Sequence, residues 1–208
     1  MCENFGFKKI GELTTQSFSR YSPKSHPGFE VSENTTEIQS LIERHKDHLF
    51  FTNYNASRCK YALIRSAQGE ITAFAKYQTA HWRIHRLPGR MGKWQARFIP
   101  FLPHVSRIFN PKNHRFIVPE SILIKENDHI LLAQLFESIL AHEKHNLLIW
   151  WADSREPLLT TTRSQVDWGL FHKLLGRPPV SVYSKFLNPD MEEKAKEHLL
   201  YVSGMDLI

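Results

Sequence analysis

The segment RFIVPESILIK, residues 115–125, predicts a β-strand with a proline in its middle. Because proline cannot donate a hydrogen bond to a neighbouring strand, we expect Pro119 to lie at a bulge or on a sheet edge. Asn127 and Asp128 are typical of a helix start, and apolar residues then recur at helical spacing. Residues 146–152 (NLLIWWA) are apolar on both faces, as in a buried strand. The order predicts a right-handed crossover between adjacent parallel strands that splay apart at the Pro119 end.

Strands and helices continue in both directions along the chain. Residues 61–65 and 70–77 predict an antiparallel hairpin, preceded by a helix that begins near Asn34. Residues 81–113 have no steady period and predict an extended strand followed by an irregular connection. Towards the C-terminus we expect further elements in this order: a helix over 164–175, a strand over 180–187 and a charged helix to about residue 200. This order predicts an α/β fold (α+β mixed sheet), with helices flanking a central mixed sheet.

The composition is that of a folded globular protein. Of 208 residues, 41% are hydrophobic and 23% charged, which excludes a disordered chain, and the net charge of +6 favours an anionic ligand without choosing one. No apolar run approaches the roughly 18 residues of a spanning helix, and no signal-peptide pattern opens the chain, so we expect a cytoplasmic protein with no membrane partner. Histidine pairs such as His45 and His48 lack a third ligand, so we expect surface histidines and no metal.

The order of elements resembles the GNAT acyl-CoA N-acyltransferase superfamily over roughly residues 34–187. Pro119 stands where that family has a bulge that splays two strands apart and admits the acyl thioester. Residues 172–176 (HKLLG) are similar to the family's Tyr-x-x-Leu-Gly-Phe motif, with His172 at the tyrosine position. The resemblance implies a GNAT-like fold that transfers an acyl group from acetyl-CoA, or another acyl-CoA, to a small-molecule amine acceptor.

The N-terminal segment carries the same motif. Residues 2–13 (CENFGFKKIGEL) match the helix-to-strand ending better than residues 172–176 do. One interpretation is that residues 1–33 resemble the closing strand of a preceding GNAT-like domain, with a GNAT-like domain over 34–208. The other is a plain strand that mimics the motif. In both, the apolar residues predict a strand over about 7–18 that pairs with an edge of this domain or with a partner, either an upstream domain or a second copy.

The resemblance also implies which residues act. Glu120 would be the base that takes the ammonium proton of the amine, and His172 the acid that returns a proton to the thiolate, with Tyr183 in reserve. The cofactor-binding positions that it implies lie on the bulged strand and the following loop: Ser121, Ile122, Lys125 and Asn127. The alternatives are a solvent-exposed carboxylate on an edge strand for Glu120 and an exposed histidine near a helix C-terminus for His172.

The loop before the central helix departs from the family pattern. Members that bind coenzyme A carry Gln/Arg-x-x-Gly-x-Gly/Ala there, because glycines let backbone N–H groups approach the pyrophosphate. Residues 124–130 (IKENDHI) contain no glycine, and Glu126 and Asp128 put carboxylates where the phosphate would bind. We therefore expect acetyl-CoA to bind weakly or not at all in the usual pose.

Three functions are compatible with the sequence. The first is a GNAT-like N-acyltransferase with a degenerate cofactor loop. The second is a non-catalytic GNAT-like partner domain that helps to bind the acceptor in a larger protein, and the 125–130 loop favours it. The third is a binder of nucleic acid or a phosphorylated ligand through residues 82–97, where tryptophans alternate with arginines. We expect that segment to be a basic connection whose tryptophans pack in the core, so nucleic acid is not the expected partner.

Overall fold

The computed structural model describes residues 2–51, 53, 59–87, 89, 91–186, 189–201 and 203. Its strands are β1 Lys8–Ser19, β2 Phe29–Ser32, β3 Lys60–Arg65, β4 Ile71–Trp82, β5 His114–Ile124, β6 Leu147–Asp153 and β7 Pro179–Ser184. Its α-helices are α1 Thr36–Ile42, α2 Gly92–Phe98, α3 Pro103–Ser106, α4 His129–Glu143, α5 Pro157–Thr162, α6 Leu170–Leu175 and α7 Pro189–Glu197.

The seven described strands form one mixed sheet in the order β2-β3-β4-β5-β6-β1-β7. The two faces are distinguished by alternation along β5. Ile117 belongs to the large apolar cluster beneath α4, whereas Phe116 and Val118 belong to a second cluster with Ile108 and Phe171. Helix α1 closes a third cluster over β3 and β4. The predicted α/β mixed sheet with flanking helices is confirmed.

Strands β5 and β6 are adjacent and parallel, as predicted. They pair at a single position, Ile117 with Leu148. Beyond it β5 stays paired with β4 as far as Ile124, and β6 stays paired with β1 as far as Asp153. A gap therefore opens between β5 and β6 on the side of Pro119, which confirms the predicted splay.

The bulge in β5 lies at Ser121, two residues beyond the proline. Glu120 pairs with Lys76 and Leu123 with Phe74, so two residues of β5 face one of β4. Ser121 has a φ of 50°, a left-handed conformation that residues other than glycine rarely adopt. Pro119 itself lies where pairing with β6 has ended, so this side of β5 is an edge at that point and no β6 carbonyl requires the missing donor.

Three helical predictions need correction. Helix α1 is capped by Thr35, whose hydroxyl accepts from the Ile38 N–H at 3.3 Å, one residue after the expected Asn34. The connection over 81–113 contains α2 and α3 and is not irregular throughout. The helix expected over 164–175 is instead α6, with α5 before it, because the backbone at Gly169 turns to a φ of 89° against β1. A Cβ at Gly169 would lie 2.2 Å from the Ser19 carbonyl oxygen.

The N-terminal strand β1 lies inside the sheet, between β6 and β7, and not at its edge. Its residue Phe18 is fully buried, and its ring packs edge-on against Phe136 and Trp168, with centroids 5.6 and 6.4 Å away. The predicted strand is therefore formed, and residues 8–19 share one sheet with strands from 34–208. The origin of residues 1–33 in a preceding domain stays a prediction.

We predict that Phe18→Ala lowers the free energy of unfolding by about 3–5 kcal/mol, because it removes a buried ring and leaves a cavity. Phe5→Ala is the matched control, since Phe5 is 67% exposed and its loss should cost less than about 0.5 kcal/mol. Urea unfolding measures both. Equal midpoints for the two variants would show that β1 is not part of the folded core.

Candidate active site

The gap between β5 and β6 opens into a larger cleft beside α1. The cleft has a volume of about 530 Å³ and runs past the ends of β4 and β5 to the loop before α4, a size typical of small-molecule sites, roughly 300–1,000 Å³. The gap itself is a cavity of about 40 Å³. Five side chains line both spaces: His45, His48, Ile122, Glu156 and Leu158. The two spaces therefore form one continuous candidate site.

Glu120 lines the gap but is neither exposed nor at a sheet edge. Its carboxylate lies 2.7 Å from the Lys76 ammonium, and both side chains are 2% exposed. Position 76 faces position 120 across β4 and β5, so the ladder itself brings the two charges together. The alternative of a solvated carboxylate is wrong. As a base, Glu120 would also have to give up the ammonium that balances its charge in a buried setting.

His45 is a titratable side chain that lines both the gap and the cleft. Burial, followed by the neighbouring His48, lowers the pKa of His45, and Glu156 with the backbone of Ile42 and Ile122 only partly opposes this. The rings of His45 and His48 lie 5.2 Å apart, and His48 Nε2 lies 3.6 Å from Glu156 Oε2. At neutral pH His45 is therefore an uncharged imidazole, able to accept a proton.

The C-terminal segment closes one side of the gap. The Tyr201 hydroxyl and the Ser121 hydroxyl are 2.7 Å apart, and the Tyr201 ring lies 6.1 Å from the His45 ring. Leu49 and Leu200 form a parallel bridge, and the Tyr201 N–H donates to the Leu49 carbonyl at 2.9 Å. The strained Ser121 bulge, the segment that follows α1 and residues 200–201 thus meet at one point.

Asp153, the last residue of β6, holds this segment. Its buried carboxylate accepts the Leu200 N–H at 2.9 Å and the Arg155 guanidinium at 2.8 Å, while Arg155 donates to the His198 carbonyl at 2.7 Å. Burial opposes ionisation of Asp153, but the hydrogen bonds from Arg155 and Leu200 outweigh it and lower the pKa. Asp153 therefore fixes where Tyr201 stands.

The loop before α4 keeps a turn conformation without glycine. Glu126 and Asn127 have φ values of 56° and 52°, which glycine would adopt without strain. Asp128 caps α4, and its carboxylate accepts the Ile130 N–H at 2.7 Å and the Leu131 N–H at 3.4 Å. Lys125 forms an exposed ion pair with Glu70 at 3.0 Å. The helix N-terminus is thus satisfied by the chain's own carboxylate.

The implied site residues divide into two groups. Glu120, Ser121 and Ile122 line the gap, and Ile122, Lys125 and Asn127 line the cleft. His172 and Tyr183 are not among the described residues that line either space. Helix α6 contacts Ser19, which pairs with Leu147 at the start of β6, whereas the gap lies at its far end. Tyr183 lies on β7, where it pairs with Lys9 of β1, so strand β1 separates it from β6 and the gap.

His172 is also poorly suited to donate a proton. Its Nε2 accepts a hydrogen bond from Arg177 Nε at 3.1 Å, so that nitrogen carries no proton. Burial, then the charges of Arg177 and Arg163, lower the pKa of His172. It is a structural histidine against the Trp168 ring, 5.7 Å away.

Sequence reasoning missed His45, Tyr201 and Lys76. His45 falls on the apolar side of the first helix with Ile38, Leu41 and Ile42, and a histidine on an apolar face is a signal that was available. Tyr201 follows the charged C-terminal helix, and no motif around it in the sequence indicates a functional role. Lys76 becomes informative only once β4 and β5 are in register.

Among the residues that the structure describes, no group of three His, Cys, Asp or Glu side chains is arranged to hold a metal ion. The same residues include no helix long and apolar enough to cross a membrane.

No family model matches the chain, and no curated protein matches it. Among solved structures it is similar to Saccharomyces cerevisiae N-myristoyltransferase with bound myristoyl-CoA, at 11% identity and a TM-score of 0.49, over 94% of this chain and 57% of that one. It is also similar to a GCN5-related N-acetyltransferase from Kribbella flavida, at 10% identity and a TM-score of 0.40, over 88% and 60%. A conserved Staphylococcus epidermidis protein of unknown function gives 8% identity and 0.43, over 89% and 65%.

The chain thus spans a little over half the length of the first of these structures. The resemblance stated from the sequence rests on the order of the elements, on Pro119 and on residues 172–176. Identity this low carries no substrate or residue role from those proteins to this one.

We predict that Lys76→Met lowers the free energy of unfolding by about 3–5 kcal/mol, because it leaves a buried carboxylate without its ammonium partner. Adding Glu120→Leu should recover most of that loss, since the pair is then replaced by apolar groups. Lys8→Met, which breaks the exposed pair with Glu192, is the control and should cost less than about 1 kcal/mol. If Lys76→Met unfolds at the wild-type urea concentration, the pair is not buried in solution.

Proposed function

We propose that this chain is a GNAT-like N-acyltransferase domain that transfers an acyl group from an acyl-CoA to an amine in the cleft beside α1. The observation that carries the proposal is the position of His45 at the junction of the cleft and the β5–β6 gap, where burial lowers the pKa of its imidazole. A reacting amine must lose a proton as it attacks, and a neutral imidazole is the side chain best suited to accept it near pH 7.

The reaction balances with groups that line the gap. The amine nitrogen bonds to the thioester carbonyl carbon, the carbon–sulfur bond breaks, and His45 takes the proton that the nitrogen loses. The thiolate takes a proton from the Tyr201 hydroxyl, and the proton on His45 then returns to the Tyr201 oxygen, whose ring lies 6.1 Å from the imidazole. In this proposal His45 replaces Glu120 as the base, and Tyr201 replaces His172 and Tyr183 as the acid.

The acyl donor would bind along the gap without a phosphate cradle. Ser121 and Ile122 border the gap, and Lys125 and Asn127 border the cleft at the other end. Because Asp128 already caps α4, the pyrophosphate gains no helix N-terminus and meets two carboxylates, those of Glu126 and Asp128. Coenzyme A should therefore bind more weakly than at an uncapped glycine loop, and affinity would depend on the acyl end.

A non-catalytic partner domain is the second candidate, and one observation favours it. Leu200 and Tyr201 fill the side of the gap through which a thioester would reach Glu120, and Asp153 holds them there. In that case the cleft binds the amine acceptor for an active domain elsewhere.

We predict that His45→Gln lowers the turnover of acyl transfer about a hundredfold or more, as expected for loss of a general base. The assay follows thiol release from acetyl-CoA and from myristoyl-CoA across a panel of primary amines. Since the pKa of His45 is lowered, protonation of this base should reduce the wild-type rate only below pH 6.5, the ordinary value for histidine. His81→Gln, an exposed histidine outside the cleft, is the control.

Three results separate the candidates. Thiol release that depends on amine and on His45 supports transfer. Release that His45→Gln leaves unchanged removes His45 as the base. An amine that binds the wild-type protein in calorimetry, with no release from either donor, favours the partner domain.

A further inference from the structure

The positive charge of the chain is concentrated in one stretch. Residues 71–119 contain nine lysines and arginines and no aspartate or glutamate. Because the whole chain carries only +6, the rest of it is net negative. A stretch of this length without one acidic residue favours an anionic partner.

The same stretch exposes large apolar side chains. Helix α2, the 3-10 turn Ile99–Phe101 and the start of α3 bury Ala96 against the protein and turn other residues outward. Phe101 is 71% exposed, Trp94 59% and Leu102 51%. We call residues 91–102, with the exposed Arg107 and Lys112 that follow them in the chain, the basic apolar patch; its exposed cations are Lys93, Arg97, Arg107 and Lys112.

The cations of the patch are available. Within the described part of the chain, none of Lys93, Arg97, Arg107 or Lys112 forms an ion pair with a carboxylate. Lysines elsewhere are often paired, as Lys8 is with Glu192 and Lys60 with Glu143. The patch therefore combines unneutralised charge with apolar groups that are costly to leave in water.

We propose that the basic apolar patch binds the surface of an anionic lipid bilayer, with Phe101, Leu102 and Trp94 at the headgroup–acyl boundary and the cations on the phosphates. Tryptophan, phenylalanine and leucine flanked by lysine and arginine are the side chains that interfacial helices use. No part of this requires a spanning helix. The expectation of no membrane partner rests on the lack of a spanning segment and a signal peptide, and this proposal departs from it because of the exposure of these side chains.

Nucleic acid fits the patch less well. Base stacking needs open aromatic faces, but the Trp94 ring stacks on Phe98 with centroids 5.7 Å apart and planes 9° apart, which covers one face of each. Lys112 lies over the Phe101 ring, 5.2 Å from its centroid. Met91 and Leu102 have no aromatic ring on which a base could stack, but their apolar side chains can insert between lipids.

The test is co-sedimentation with vesicles of phosphatidylcholine, with and without phosphatidylglycerol. We expect the wild-type chain to pellet only with the anionic vesicles, and less as salt is raised. Lys93→Gln with Arg97→Gln should lower partitioning about thirtyfold, since each cation near an anionic surface contributes about 1 kcal/mol, or about fivefold. Lys24→Gln with Lys46→Gln removes the same charge from exposed sites elsewhere and should leave partitioning within about twofold of wild type.

A second readout tests insertion directly. Brominated phosphatidylcholine in the anionic vesicles should quench tryptophan fluorescence, and Trp94→Phe should remove most of that quenching while the protein still pellets. Phe101→Ser with Leu102→Ser should weaken pelleting, and Phe5→Ser, equally exposed but outside the patch, should not. Thermal unfolding checks that each variant is folded. Equal pelleting of the patch and control charge variants overturns the proposal, as does patch-dependent binding of single-stranded DNA without binding to vesicles.

Discussion

Strands β5 and β6 pair only at Ile117 and Leu148, and the site depends on the gap that follows. Each strand continues with a different neighbour, β4 on one side and β1 on the other, so the gap does not leave either strand unsupported. Farther along β5, the bulge at Ser121 adds a residue relative to β4. A sheet of otherwise antiparallel strands thereby gains a polar opening in its middle.

Charged and polar groups in this opening are paired by chain elements that are distant in sequence. Lys76 balances Glu120, Asp153 holds the backbone of Leu200, and Tyr201 reaches Ser121. Such buried pairs stabilise little by themselves and cost much when one partner is lost. In the proposed function they hold His45 and Tyr201 at fixed positions, whereas Glu120 is a structural carboxylate.

Local patterns were sufficient for the architecture but not for the site. The hairpin, the β5–α4–β6 crossover and the Asp128 cap follow from periodicity and cap chemistry, and each is formed. Pro119 marked the strand that splays from β6, whereas the bulge lies two residues later, at Ser121. Gly169 gave no sign that the helix would begin only after it, since the close approach of Ser19 is a tertiary contact.

The site could be predicted only in part for the same reason. The resemblance implied Glu120, Ser121 and Ile122 together because they are neighbours on one strand, and all three line the gap. A solvent-exposed Glu120 stayed open as an alternative because no local signal announces Lys76 on the next strand. Tyr201 and His45 come from opposite ends of the sequence and meet through the bridge of Leu49 with Leu200.

The most direct test of this account is a methyl NMR titration of the whole chain with acetyl-CoA and with myristoyl-CoA. If the β5–β6 gap and its cleft bind the acyl donor, the methyl resonances of Ile122, Leu158 and Leu200 should shift on addition of donor. Those of Ile108 and Leu147, which belong to the apolar cluster on the other face of the sheet, should not. Shifts confined to Ile108 and Leu147, or no shift at any of these methyl groups at the highest donor concentration, would contradict it.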